Sequence, residues 1–144
     1  MKKTNKILFI VFLFSMVISY GGEVKNSEKF LEKCPDKPNC VLSLEEVKDS
    51  SQYIEPIHFQ EENLEIAKDK LKEIIQSMGG VIVEETDFYI KSNFFSNFFK
   101  FKDIAEFVIV PDKNLILVRS GAETGYFDFG VNRKRIEKIR ESIK

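Results

Sequence analysis

The chain has 144 residues, a formal net charge of -1, 43% hydrophobic and 31% charged residues, with 14 Phe, 4 Tyr and no Trp. That length fits one globular domain with a core of its own, and the composition excludes a disordered or low-complexity polymer. The near-zero charge gives no overall field for nucleic acid or for an acidic substrate.

The first 21 residues read as a signal peptide. Lys2, Lys3 and Lys6 precede the apolar run "ILFIVFLFSMVISY" from Ile7 to Tyr20, and Ser19 and Gly21 are small and spaced for cleavage. The run is shorter than the roughly 20 residues a spanning helix needs, and an uncleaved anchor is the alternative reading. No Cys adjoins the run, so no lipid-acylation site is read there. Either way the chain is expected to be exported, to the periplasm or a membrane-associated cell envelope. Residues 22–33 are polar and read as a linker, and residues 34–144 as a single domain. The two cysteines, Cys34 and Cys40 in "CPDKPNC", are expected to form a disulfide. A redox pair would favour CxxC spacing, and two thiolates with one His make a poor zinc set.

His58, the sole histidine, sits beside a proline in "EPIHF" and reads as a loop or edge-strand residue. The first strong element is "ENLEIAKDKLKEIIQSMGG". Leu64, Ala67, Leu71, Ile74 and Met78 form one apolar stripe at helical period, Asn63 caps its start, and Gly79-Gly80 stop it. Strands follow at Val81–Glu85, Asp87–Phe94, Asp103–Val110 and Leu115–Ser120, the last two joined by the turn "PDKN". The final segment, with Val131, Ile136, Ile139 and Ile143 on one side, reads as an amphipathic helix. The fold class is α+β: a four-stranded, mainly antiparallel sheet with two amphipathic helices on one face.

Between the second and third strands lies "FFSNFFKF". Phe94, Phe95, Phe98, Phe99 and Phe101 read either as core packing or as an exposed apolar patch for lipid, a protein partner or an apolar ligand. Chemistry-bearing motifs are scarce. With one histidine and no GxSxG elbow there is no legible nucleophilic triad. HExxH, GxGxxG and P-loop motifs are also missing from the sequence. No catalytic residue, metal ligand or cofactor is assigned, and the chain reads as a binding or accessory module in preference to an enzyme.

The C-terminal segment "RSGAETGYFDFGVNRKRIEKIR" (Arg119–Arg140) concentrates the polar residues of interest. Gly125 and Gly130 permit positive φ, and Asp128 can accept from free N–H groups at the start of the last helix. Basic groups in a helix's first turn oppose the macrodipole, so Arg133 and Arg135 require an offsetting partner. Arg119, Asp128, Asn132, Arg133 and Arg135 form the candidate anion-binding set, for phosphate, carboxylate or an anionic lipid headgroup. The alternatives are an internal Arg/Asp/Asn network tying the helix to the sheet, or an enzyme site for an anionic substrate built from Arg119, Asp128, Asn132 and Arg133.

This segment and "CPDKPNCVLS" (Cys34–Ser43), with "IEP" (Ile54–Pro56) and "FKDIAEF" (Phe101–Phe107) between, resemble the domain-of-unknown-function family 1499. That family tends to read CPxxPNCVSS early and RSASRxGYxDxGVNRxRxExxR late. The resemblance implies an exported or membrane-associated envelope domain and no particular activity. Glu123 stands here where the family usually has Arg, and Gly121-Ala122 replaces Ala-Ser.

Overall fold

The computed structural model describes residues 31–60, 63–96 and 99–143. The expected signal segment, most of the linker and Phe98 lie outside the described residues. In chain order the elements are β1 (Cys40–Leu42), β2 (Ile57–His58), α1 (Leu64–Ser77), β3 (Val81–Glu85), β4 (Tyr89–Phe95), β5 (Lys102–Val110), β6 (Leu115–Ala122) and α2 (Val131–Ile143).

The strands form one antiparallel sheet ordered β1-β6-β5-β4-β3, with β2 also pairing β6. The α+β class holds, but the sheet has six strands, not four. The two additional strands are three and two residues long. They borrow their order from the long strand β6: Cys40 pairs with Gly121, and Ile57 with Ile116. Segments that short carry no period of their own. The turn "PDKN" is a single 3-10 turn that ends with Asn114 in the left-handed region at φ 49°, a conformation Asn tolerates.

Alternation sorts each strand between two faces. Ile90 and Phe94 of β4, Ala105, Phe107 and Ile109 of β5, and Ile116 and Val118 of β6 join Ala67, Leu71 and Ile75 of α1 and Ile136, Ile139 and Ile143 of α2 in the main core. Fully burying one such aliphatic side chain stabilises the fold by about 1.5–3 kcal/mol. The stripe of α1 is centred on Ala67, Leu71 and Ile75, whereas Leu64, Ile74 and Met78 are only partly buried at its margin. Lys68 lies on that buried face because its ammonium reaches Glu85 on β3, 3.0 Å away. Asn63 caps α1 as expected, its side chain accepting from the Glu65 N–H at 2.8 Å. Val131 is not buried: it is 45% exposed, and α2 packs through Ile136, Ile139 and Ile143.

The other sheet face is half covered. Leu31, Leu42 and Leu44 pack on Tyr89, Val108, Val110 and Leu117. The Cys34–Cys40 disulfide closes a loop at the β1 edge, with Cα atoms 5.7 Å apart. Gly121 is required beneath it: a Cβ there would lie 2.9 Å from the Cys40 sulfur. A loop this short constrains the unfolded chain by about 2 kcal/mol.

Candidate functional site

The segment between β6 and α2 turns sharply, with Gly125 (φ 86°), Phe129 (φ 54°) and Gly130 (φ 73°) all in the left-handed region. That geometry brings the Asp128 carboxylate over the free end of α2. Its Oδ1 accepts from the Gly130 N–H at 2.9 Å, and its Oδ2 from the Asn132 N–H at 3.0 Å and the Asn132 Nδ2 at 2.9 Å. Partial burial pushes the Asp128 carboxyl upward, but the hydrogen bonds donated by Asn132 and Gly130 outweigh it and hold the group below its ordinary range.

Asn132 is the hub of a wider network. It is fully buried, and its Oδ1 accepts from Ser120 Oγ and from Arg135 Nη1, both at 2.6 Å. Arg135 donates through Nη2 to Asp103 Oδ2 at 2.6 Å and lies over the Phe94 ring, 4.3 Å from its centroid. Asp103 comes from β5, Ser120 from β6 and Phe94 from β4. One buried polar network therefore ties the first turn of α2 to three strands. It extends to the disulfide loop: the Asn39 carbonyl accepts from Ala122 N at 3.0 Å, and Asn39 Nδ2 donates to the Gly125 carbonyl at 2.9 Å.

The remaining arginines do related work. Arg133 Nη2 donates to the carbonyls of Ser51 (2.8 Å) and Tyr53 (2.9 Å). Arg140 donates to the carbonyls of Pro56 and Glu55, both at 2.6 Å, and to Glu137 at 2.9 Å. Residues 51–56 make few ladder bonds, so their carbonyls need donors, and α2 supplies them. For Arg133 this is the offset that a basic residue near the helix start requires; Arg140 lies in the last turn of α2.

Arg119 stands apart. On the face of the sheet opposite the helices it donates to Glu106 Oε2 at 2.8 Å, and Tyr89 donates its hydroxyl to Glu106 Oε1 at 2.7 Å. Burial, and then the Glu106 carboxylate, push the Tyr89 hydroxyl well above its ordinary range. Glu84, Lys91, Glu106 and Arg119 are cross-strand partners in turn, a row of alternating charge over four strands. Among the described residues, Arg119 Nε and Asn39 Oδ1 are the buried side-chain atoms left without a partner.

Of the five candidate anion-binding residues, then, Asp128, Asn132 and Arg135 share one network, Arg133 in the same helical turn directs its guanidinium to the carbonyls of Ser51 and Tyr53, and the sheet separates Arg119 from the other four. An enzyme built on Arg119, Asp128, Asn132 and Arg133 needs all four around one substrate, which this arrangement does not provide. Arg133 does border two cavities. One, of about 480 Å³, is lined by Tyr53, Glu55, His58, Glu137 and Arg140 among others. The second, of about 110 Å³, is lined by Ser51, Gln52, Asp128 and Gly130 among others. Glu123 pairs with Lys102 across the β5–β6 edge.

The phenylalanine run divides. Phe94 is buried beneath Arg135, while Phe95, Phe99 and Phe101 are exposed. Sequence reasoning passed over three further exposed aromatics, Tyr126, Phe127 and Phe129. Their signal was legible: three aromatics in four residues between two glycines, in a loop. No curated protein matches the chain. The sequence matches the family described as "Protein of unknown function (DUF1499)" over residues 30–143, and the chain belongs to that family.

Proposed function

We propose that this protein is an exported module of the cell envelope that binds at its surface and carries out no chemistry. One observation carries the reading. The four arginine side chains of Arg119–Arg140 that the site presents, Arg119, Arg133, Arg135 and Arg140, are directed at partners within the chain: Asp103, Glu106, Asn132 and the carbonyls of residues 51–56. The groups an active site would hold free for substrate are engaged in holding α2. The Cys34–Cys40 disulfide and the basic-then-apolar start of the sequence support an oxidising compartment outside the cytoplasm. Fusing the C-terminus to a phosphatase that folds only outside the cytoplasm tests export. An active fusion is expected, and an inactive, intact fusion retained in the cytoplasm sinks the reading.

A second reading rests on Arg133, which borders both cavities. A small phosphate or carboxylate seated beside it would use the guanidinium and the positive end of α2. In a thermal-shift series, inorganic phosphate and acetate are expected to raise Tm for the natural chain and not for Arg133→Gln. No anion-dependent rise in the natural chain removes this reading and leaves the first intact.

A further inference from the structure

The β4–β5 tip and the β6–α2 loop lie at the same end of the sheet, since β4 ends at Phe95, β5 begins at Lys102 and β6 ends at Ala122. The Glu123 N–H donates to the Lys102 carbonyl at 2.9 Å, so the two loops are joined. Both carry exposed rings. Phe99 is 77% exposed, Phe127 67% and Phe129 86%, with Phe95, Phe101 and Tyr126 exposed beside them. Phe99 stacks on Phe101 at 5.5 Å, and Tyr126 meets Phe127 edge-on at 5.2 Å. A bulky side chain at positive φ is uncommon, yet Phe129 holds φ 54° and extends its ring into solvent.

We infer that this six-ring rim inserts into the interfacial layer of an anionic lipid bilayer. The proposal rests on the envelope reading above and names the surface through which it acts. Three observations favour a bilayer as the occupant. The rings project from two adjoining loops as two small pairs, Phe99 with Phe101 and Tyr126 with Phe127, beside Phe95 and Phe129, an irregular apolar rim that a soft interface accommodates. The charge around them is complementary. The rim's acids are internally engaged, Glu123 by Lys102 and Asp128 by the start of α2. Lys37, Lys100 and Lys134 have no carboxylate partner among the described residues, and Lys100 lies between Phe99 and Phe101 in the sequence. Lys37 is held beside the rim, its Nζ 3.5 Å from the Gly125 carbonyl. Finally, the apolar run Ile7–Tyr20 precedes Leu31 by ten residues, which can span up to about 35 Å. That reach exceeds the length of nine-residue β5, about 30 Å. In the uncleaved reading of the run, it and the rim can therefore meet one bilayer although Leu31 packs with Tyr89 and Val110 toward the other end of the sheet.

The chain has no tryptophan, which makes the test site-specific. Phe99→Trp, Phe129→Trp and, in the turn at the far end of the sheet, Asp112→Trp each give the full chain a single indole. On vesicles of phosphatidylcholine and phosphatidylglycerol, the indoles at 99 and 129 are expected to shift to the blue and to be quenched by brominated acyl chains. The indole at 112 is expected to do neither. Bound protein whose indoles at 99 and 129 remain wet means the N-terminal run alone holds it, and overturns the proposal. An equal response at 112 overturns it as well, and an equal response on purely zwitterionic vesicles overturns the part assigned to the lysines. None of these readouts depends on export, so failure here and failure of the envelope reading are separable.

Discussion

The segment from Arg119 to Arg140 builds two regions of opposite character. On the inside, Ser120, Asn132 and Arg135 are covered and satisfied by one another and by Asp103. On the outside, Tyr126, Phe127 and Phe129 stand in water. This inverts the ordinary distribution of polar and apolar groups. The inner half is explained by hydrogen bonding: a buried polar group costs little once every donor and acceptor has a partner, and a great deal when one partner is removed. The outer half has no such account within the folded chain, since exposed rings contribute almost nothing to its stability. The comparison teaches that charge in this motif reports architecture and that its aromatics are where an external partner should be sought.

The largest expected effect comes from breaking the inner region. Arg135→Met leaves the largely buried Asp103 carboxylate without its counter-charge and removes one of the two donors to Asn132 Oδ1, and should cost about 3–5 kcal/mol in urea unfolding. Arg133→Met removes hydrogen bonds to two carbonyls at a more open site, and should cost about 1–2 kcal/mol. Equal losses for the two variants would show that the network around Asn132 has no special weight, and the comparison would collapse.

A middle-sized effect belongs to Asp128 and depends on pH. Its carboxyl is held below the ordinary value of 3.8 in the folded chain. A depressed folded pKa contributes stability that is present above the unfolded pKa and is lost as pH falls through the folded one. Asp128→Ala should therefore cost about 1–2 kcal/mol at neutral pH, in line with loss of a helix cap. The gap between variant and natural chain should narrow as pH is lowered from about 4 towards 2. A gap that is constant across that range would mean the carboxylate charge does not matter to the cap.

Whether a feature was legible in the sequence depended on whether it was local. α1 and the four long strands declare themselves through period and turn residues, because each buries one face along many residues. β1 and β2 are set by β6, and two or three residues cannot carry a pattern. At the site, Gly125, Asp128 and Gly130 were readable as a helix-start turn because the partners of Asp128 lie within four residues. The partners of Arg133 and Arg140 were not, since they are carbonyls 80 to 85 positions away, at Ser51, Tyr53, Glu55 and Pro56. A carbonyl has no side-chain signature, so no spacing rule could find them. Arg119 was misleading for a related reason. It sits one position from Ser120, yet alternation along β6 sends the two side chains to opposite faces of the sheet.

The smallest expected effect has the most informative sign. Phe129 holds φ 54°, and its ring is almost wholly exposed. A left-handed backbone costs a residue with a Cβ about 1–2 kcal/mol, a cost glycine does not bear. Glycine gives back part of that gain through the greater freedom of the unfolded chain. Phe129→Gly should therefore stabilise the protein by about 0.5–1 kcal/mol in thermal or urea unfolding, although it deletes a large side chain. The same variant should weaken contact at the rim, read as a smaller blue shift of an indole placed at position 99 on anionic vesicles. Stability that rises while contact falls would mean that the ring is kept for something outside the fold. A loss of stability would instead give Phe129 a folding role and move it to the inner side of the comparison.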